Sequence, residues 1–261
     1  MDWKPEMIRF NHGLLAAGAL LLAGPVLAQA APEPLFAVPA TTVPILGESR
    51  VFPVRRIFCV GRNYAAHARE MGRDPDREPP FFFTKPADAV VMDGETVAYP
   101  PETENLHHEA ELVIVVGTGG RDIAEADALS HVWGYAAGND LTRRDLQSAA
   151  RELGRPWDMA KGFDRSAVIG PAHPASRVGH PDKGFIRLTV NGETRQDADL
   201  SEMIWSVPEV VSILSHSIAL RPGDLIMTGT PAGVGPLAAG DVCVVSIEGL
   251  GEITTTIGPR G

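Results

Sequence analysis

The chain has 261 residues, 44% hydrophobic and 21% charged, the make-up of a folded globular protein and not of a disordered, collagen-like or repeat chain. With 33 acidic against 23 basic side chains the net charge is -10, and no lysine- or arginine-rich run is present to follow a phosphate backbone, which excludes nucleic acid as a partner. Glycine (27) and proline (22) are abundant while aromatics make up 6%, favouring many turns and short strands over a helical bundle.

At the N-terminus, 14–28 is small and apolar, preceded by Lys4 and Arg9 and followed by Ala28-Gln29-Ala30. This reads as a cleavable secretory signal over residues 1–30. The run is shorter than the about 20 residues a membrane span requires; a buried first helix or an uncleaved anchor is the alternative. Cleavage removes two acids (Asp2, Glu6) and two bases (Lys4, Arg9), so the charge is unchanged, and no second hydrophobic span follows. The mature chain is therefore expected in the periplasm or outside the cell, free of the membrane, or in the cytoplasm if the signal is not used.

Residues 31–55 are proline-rich and read as an N-terminal arm or linker, with the folded domain over 56–261. Short apolar runs of strand length then follow at 57–60, 81–84, 112–116, 133–137, 186–190, 225–228, 242–247 and 252–257. Asn191-Gly192 between two of them is a two-residue hairpin signal. Helices are expected at 142–153, with Thr142 as N-cap, at 207–217, with Pro208 in the first turn, and as a short turn at 64–71. Strands with a few inserted helices and no regular alternation make this an α+β fold. Cys59 and Cys243 lie in apolar strand-like stretches where a free cysteine packs as a small hydrophobe; a disulfide between them is the alternative.

Three constellations carry chemistry. In His108-Glu109-Ala110-Glu111, at the mouth of an apolar strand, the period of two aims Glu109 and Glu111 at one face, with Cα atoms about 6–7 Å apart. Two such carboxylates repel and are costly to desolvate unless a cation offsets them. Asp140 ends a later apolar strand, and three carboxylates suit Mg²⁺ or Mn²⁺ better than zinc; an exposed strand end, with Asp140 capping a helix, is the alternative. His67 and Glu70 are one helical turn apart, so the carboxylate can fix the imidazole tautomer and leave the other nitrogen to take a proton from water; a solvated surface pair is the alternative. Arg144, Gln147 and Lys161 can reach the same cavity and hold an anionic or enolate group, or simply be a solvated helix face and loop.

The stretches Gly61-Arg62-Asn63-Tyr64, Pro79 to Asp88 (PPFFFTKPAD), His108 to Leu112, Asn139 to Gln147, Ala160 to Asp164 and Thr228 to Gly235, in this order, resemble the fumarylacetoacetate hydrolase family, most closely its acylpyruvase and fumarylpyruvate hydrolase members. The resemblance implies a mixed β-roll or β-sandwich with a few flanking helices, and a homodimer. It implies Mg²⁺ or Mn²⁺ on Glu109, Glu111 and Asp140, a water-activating His67–Glu70 dyad on a lid, Lys161 as a catalytic cation, and substrate contacts from Arg62, Arg144, Gln147 and Thr230. The reaction it implies is hydrolysis of the C–C bond of a 2,4-diketo acid to pyruvate and a carboxylic acid. Oxaloacetate-type decarboxylation, isomerisation of a hydroxyheptadienedioate, and a secreted keto-acid-binding protein without catalysis are the alternatives.

Overall fold

The computed structural model describes residues 33–72 and 78–261; the expected signal over 1–30 lies outside them. Residues 39–261 form one unit, and 33–38, which precede it, carry no helix or strand.

The main sheet runs in the order Phe81–Lys85, Arg56–Gly61, Asp224–Met227, Ala110–Val116, Val132–Asp140, Ala167–Ile169, Val90–Met92. Its central strands are apolar without interruption because both faces are covered. Ile57, Cys59, Val113, Val115, Leu225 and Met227 pack on one face; Phe58, Val60, Leu112, Ile114 and Ile226 pack on the other, the alternation that a period of two requires. A second sheet, built from Glu193–Asp199, Phe185–Val190, Val242–Ile247, Gly251–Arg260 and Thr96–Tyr99, and the helix Val207–Ser217 contribute Ile186, Leu188, Val245, Ile253, Val210 and Leu214 to the latter core. The architecture is the expected α+β type, sheet-dominated with few helices. Asn191 and Gly192 both take positive φ, 52° and 81°, and turn Phe185–Val190 back onto Glu193–Asp199 as their dipeptide predicts. Cys59 and Cys243 are buried and free.

Two expectations change. Within the proline-rich arm, Thr42–Pro44 and Val51–Pro53 pair as a hairpin whose Val43, Ile45, Phe52 and Val54 close the first face of the sheet; each run is too short for periodicity to reveal it. The helix expected from Thr142 begins instead at Arg144 and ends at Glu152. Thr142 and Arg143 pair with His107 and Leu106 as a strand, so the N-cap position falls to Arg143 and Thr142 lies one residue too early to cap; its hydroxyl donates to the Asp140 carbonyl at 2.9 Å.

The topology gathers the sequence motifs at one edge. Arg56–Gly61 and Asp224–Met227 are parallel and both end there, while Ala110–Val116 begins and Val132–Asp140 ends there, antiparallel to each other. The Gly61, Thr228, Glu109 and Asp140 motifs thereby become neighbours.

Phe52 is buried and stacks at a tilt on Trp133, centroids 5.4 Å apart. Phe52→Ala should lower the unfolding free energy by about 3–5 kcal/mol in urea denaturation. Val51→Ala, on the exposed side of the same strand, should shift it by less than about 0.5 kcal/mol.

Candidate active site with a carboxylate cluster

The ladder pairs Ala110 with Asn139 and Glu111 with Gly138, which leaves Glu109 and Asp140 side by side at its end. Their backbones are joined by Asp140 N–H donating to Glu109 C=O at 2.8 Å, and Glu109 N–H donates to Asn139 Oδ1 at 2.9 Å. Carboxylate oxygens of Glu109, Glu111 and Asp140 all lie within 4.8 Å of one another, and all three residues are buried.

Three buried cations face these acids. Lys161, which ends the short helix Asp158–Lys161, bridges Glu109 Oε2 and Asp140 Oδ2 at 2.7 Å each. Lys85 Nζ meets Asp140 Oδ1 at 2.6 Å, and Arg144 pairs with Glu109 Oε1. Burial works to raise the Glu109 carboxyl, but the Lys161 and Arg144 charges overcome it and hold Glu109 well below the usual carboxylate range. Glu111 is treated differently. Its contact among the described residues is the Gly229 N–H, donating to Oε2 at 2.8 Å, and burial together with the Asp140 and Glu109 charges pushes its carboxyl well above the ordinary 4.5. The cluster therefore carries one carboxylate without a cation, in a hard, all-oxygen donor set, and a divalent Mg²⁺ or Mn²⁺ fits both features.

The second half of the site sits on the helix Ala65–Glu70. His67 Nδ1 and Glu70 Oε2 are 2.9 Å apart, while Glu70 Oε1 accepts the Gly233 N–H at 3.0 Å. The dyad is thus tied to the loop after Asp224–Met227, and Nε2 is the nitrogen left for a water. In that loop Gly229 has φ +96°, and a Cβ there would lie 2.8 Å from the Asn63 side chain; only glycine lets the backbone approach close enough to serve Glu111.

One cavity is lined by Arg62, His67, Glu109, Glu111, Arg144, Gln147, Lys161 and Thr230. Every residue singled out from the sequence lines it or, like Glu70 and Asp140, bonds directly to one that does. Two contributors escaped the sequence reading. Lys85, inside a motif noted only as a motif, also donates to the Leu141 and Lys161 carbonyls at 3.1 and 2.5 Å. Fully buried Gln196 donates to Thr230 Oγ1 at 2.8 Å and accepts from Ala110 N–H at 2.9 Å; an isolated glutamine on an otherwise polar strand carries no signal.

The family profile "Fumarylacetoacetate (FAA) hydrolase C-terminal" matches residues 56–258. The chain belongs to this family. It is 46% identical over 191 residues to a fumarylpyruvate hydrolase of a Ralstonia species, covering 72% of this chain and 99% of that protein. The mitochondrial oxaloacetate tautomerase of Arabidopsis thaliana is 42% identical over 198 residues, 76% of this chain and 88% of that protein. The crystal structure of fumarylpyruvate hydrolase from Pseudomonas aeruginosa, in complex with Mn²⁺ and pyruvate, superposes with a TM-score of 0.85 at 56% identity, covering 87% of this chain and all of that one.

Because the folded-state Glu111 carboxyl lies above 4.5, the folded chain keeps a proton there that the unfolded chain has released. Metal-free stability should fall as pH rises above 4.5, and Glu111→Gln should remove that slope. Glu109, shifted the other way, contributes stability that is present above 4.5 and lost below it. Near neutral pH, metal-free Glu111→Gln should be at least as stable as wild type. Mn²⁺ at about 100 times its Kd should stabilise wild type by about 2.7 kcal/mol and leave the variant unchanged, as read by thermal unfolding.

Proposed function

We propose that the protein is a divalent-metal-dependent hydrolase of acylpyruvates, cleaving a 2,4-diketo acid such as fumarylpyruvate to pyruvate and a carboxylic acid. The observation that carries the reading is the His67–Glu70 dyad facing the same cavity as the carboxylate cluster: a base for water beside an ion site. The fumarylpyruvate hydrolase relatives, one with Mn²⁺ and pyruvate bound, support it.

Glu109, Glu111 and Asp140 would hold Mg²⁺ or Mn²⁺, which when bound supplies Lewis acidity to the pyruvoyl carboxylate and keto oxygens. Glu70 fixes His67 with Nδ1 engaged, and Nε2 removes a proton from water as its oxygen bonds to C4. Gln147 has its carbonyl oxygen occupied by Arg144 at 2.5 Å, so its NH₂ group donates to the developing C4 oxyanion, with Lys161 as the cation beside it. Collapse re-forms the C4 carbonyl and breaks C3–C4. The bonding pair passes into the pyruvoyl enolate, which takes the proton back at C3 and leaves as pyruvate.

The oxaloacetate tautomerase relative favours a second reading in which the same site only enolises oxaloacetate; that reaction needs no attacking water. We carry export and a homodimer as parts of the proposal. The first rests on the apolar 14–28 run and is read by N-terminal sequencing of exported protein; the second rests on family membership and is read by light scattering.

Pyruvate release from fumarylpyruvate and acetylpyruvate, with oxaloacetate in parallel, tests the proposal. EDTA-sensitive release from an acylpyruvate is expected; no release from either acylpyruvate, with the ultraviolet absorbance of enol-oxaloacetate changing under the enzyme and no pyruvate formed from it, overturns it in favour of the second reading. His67→Ala should lower kcat about 10²- to 10⁴-fold with bound metal retained, whereas Glu109→Ala should lose the metal.

A further inference from the structure

The tandem His107-His108 ahead of Glu109 has no part in the reaction described above. The period of two that puts Glu109 and Glu111 on one face puts His107 there with them and turns His108 to the other, where its Nδ1 meets Gln196 Oε1 at 3.3 Å. His107 is half-buried on the short strand Leu106–His108 and pairs with Thr142, which brings it beside the first residue of the helix Arg144–Glu152.

Both imidazole nitrogens are engaged. Arg144 Nε–H donates to His107 Nδ1 at 3.3 Å, and His107 Nε2 is 2.9 Å from Asn105 Oδ1. An arginine N–H can only donate, so Nδ1 is the bare nitrogen and the imidazole proton sits on Nε2, donated to Asn105 Oδ1. The Asn105 carbonyl accepts the Arg144 backbone N–H at 2.9 Å. Its own N–H donates to Thr103 Oγ1 at 3.1 Å, and that hydroxyl donates to Asp145 Oδ1 at 2.5 Å. A ring of hydrogen bonds thus closes from the Arg144 backbone through Asn105 and His107 back to the Arg144 side chain. The rest of the guanidinium carries the site: one amino group donates to Gln147 Oε1 and the other to Glu109 Oε1. Because the group is planar, holding Nε fixes the aim of both.

We infer that His107 is a positioning residue for the reaction: as a neutral imidazole protonated on Nε2 it holds Arg144 by Nε. That one arginine then steadies Glu109 and keeps the Gln147 oxygen occupied, leaving the Gln147 NH₂ group turned toward the oxyanion. This rests on the acylpyruvate reading above. Gln147 serves a charge that exists only after water has attacked, so His107 contributes to kcat and not to KM.

Asparagine can place an oxygen where Nδ1 stands, whereas glutamine reaches the position of Nε2, so two similar substitutions separate the Arg144 contact from the Asn105 contact. With Mg²⁺ and fumarylpyruvate, His107→Leu and His107→Gln should lower kcat about 10- to 100-fold, the loss of one hydrogen bond to a charged group, with KM nearly unchanged. His107→Asn should recover most of that loss. Equal kcat in the Asn and Gln variants, or a change confined to KM, overturns the inference; if His107→Leu does not fold, the Asn and Gln pair carries the test. The same contact is read without turnover by nitrogen-15 NMR of the metal-free protein. An Nε2–H tautomer of His107 and a slowly exchanging Arg144 Nε–H, kept in His107→Asn and lost in His107→Gln, sustain the inference. An Nδ1–H tautomer, or an Arg144 signal that His107→Gln leaves in place, overturns it. If wild type hydrolyses no acylpyruvate, the acylpyruvate reading fails by itself and these spectra decide whether His107 holds Arg144.

Discussion

Three carboxylates buried within 4.8 Å of one another set the terms for the rest of this molecule. Charges taken out of water cost several kcal/mol each even after relaxation, so the fold must supply compensation within reach. It does so from elements distant in sequence: Lys85 at the end of one strand, Arg144 at the start of a helix, and Lys161 at the end of another. Each satisfies Glu109 or Asp140, and among the described residues Glu111 has a single backbone donor. The imbalance is local and directional. It opens toward the cavity, where a divalent ion completes the cluster.

The second dependency is mechanical. The dyad helix is not anchored by a side-chain cap of its own; Glu70 is steadied by the Gly233 N–H, and the loop that carries Gly233 also carries Gly229, the donor to Glu111. One loop thus couples the base to the carboxylate cluster, and Asn63 secures it, donating to the Thr228 carbonyl at 2.8 Å. Gln196 performs the same service on the other side, joining Thr230 to the backbone of Ala110, next to both glutamates. Pre-organisation of this kind is what hydrolysis by an activated water demands.

Much of this was legible in the sequence, and for identifiable reasons. Glu109 and Glu111 announce themselves because a period of two and an apolar run make paired acids costly without a counter-charge, and Asp140 because it closes an apolar strand. His67 and Glu70 are separated by one helical turn, so a local rule suffices. What escaped depends on long-range pairing. Lys85 reads as an ordinary strand-end lysine until Asp140 is brought to it, and Gln196 as a polar residue on an exposed hairpin. The hairpin from Thr42 to Pro53 is hidden by its prolines and by strands of three residues. Thr142 has the right chemistry for a helix cap, but pairing with the Leu106–His107 strand delays the helix to Arg144 and leaves Thr142 outside the cap position.

The central claim, that the buried carboxylates form one divalent-ion site, is tested most directly by electron paramagnetic resonance of Mn²⁺ titrated into metal-free protein, wild type beside Asp140→Asn. The account predicts one tightly bound Mn²⁺ per chain in wild type and no saturable binding in the variant while it remains folded. Full Mn²⁺ occupancy in folded Asp140→Asn, or no binding in wild type, would contradict it.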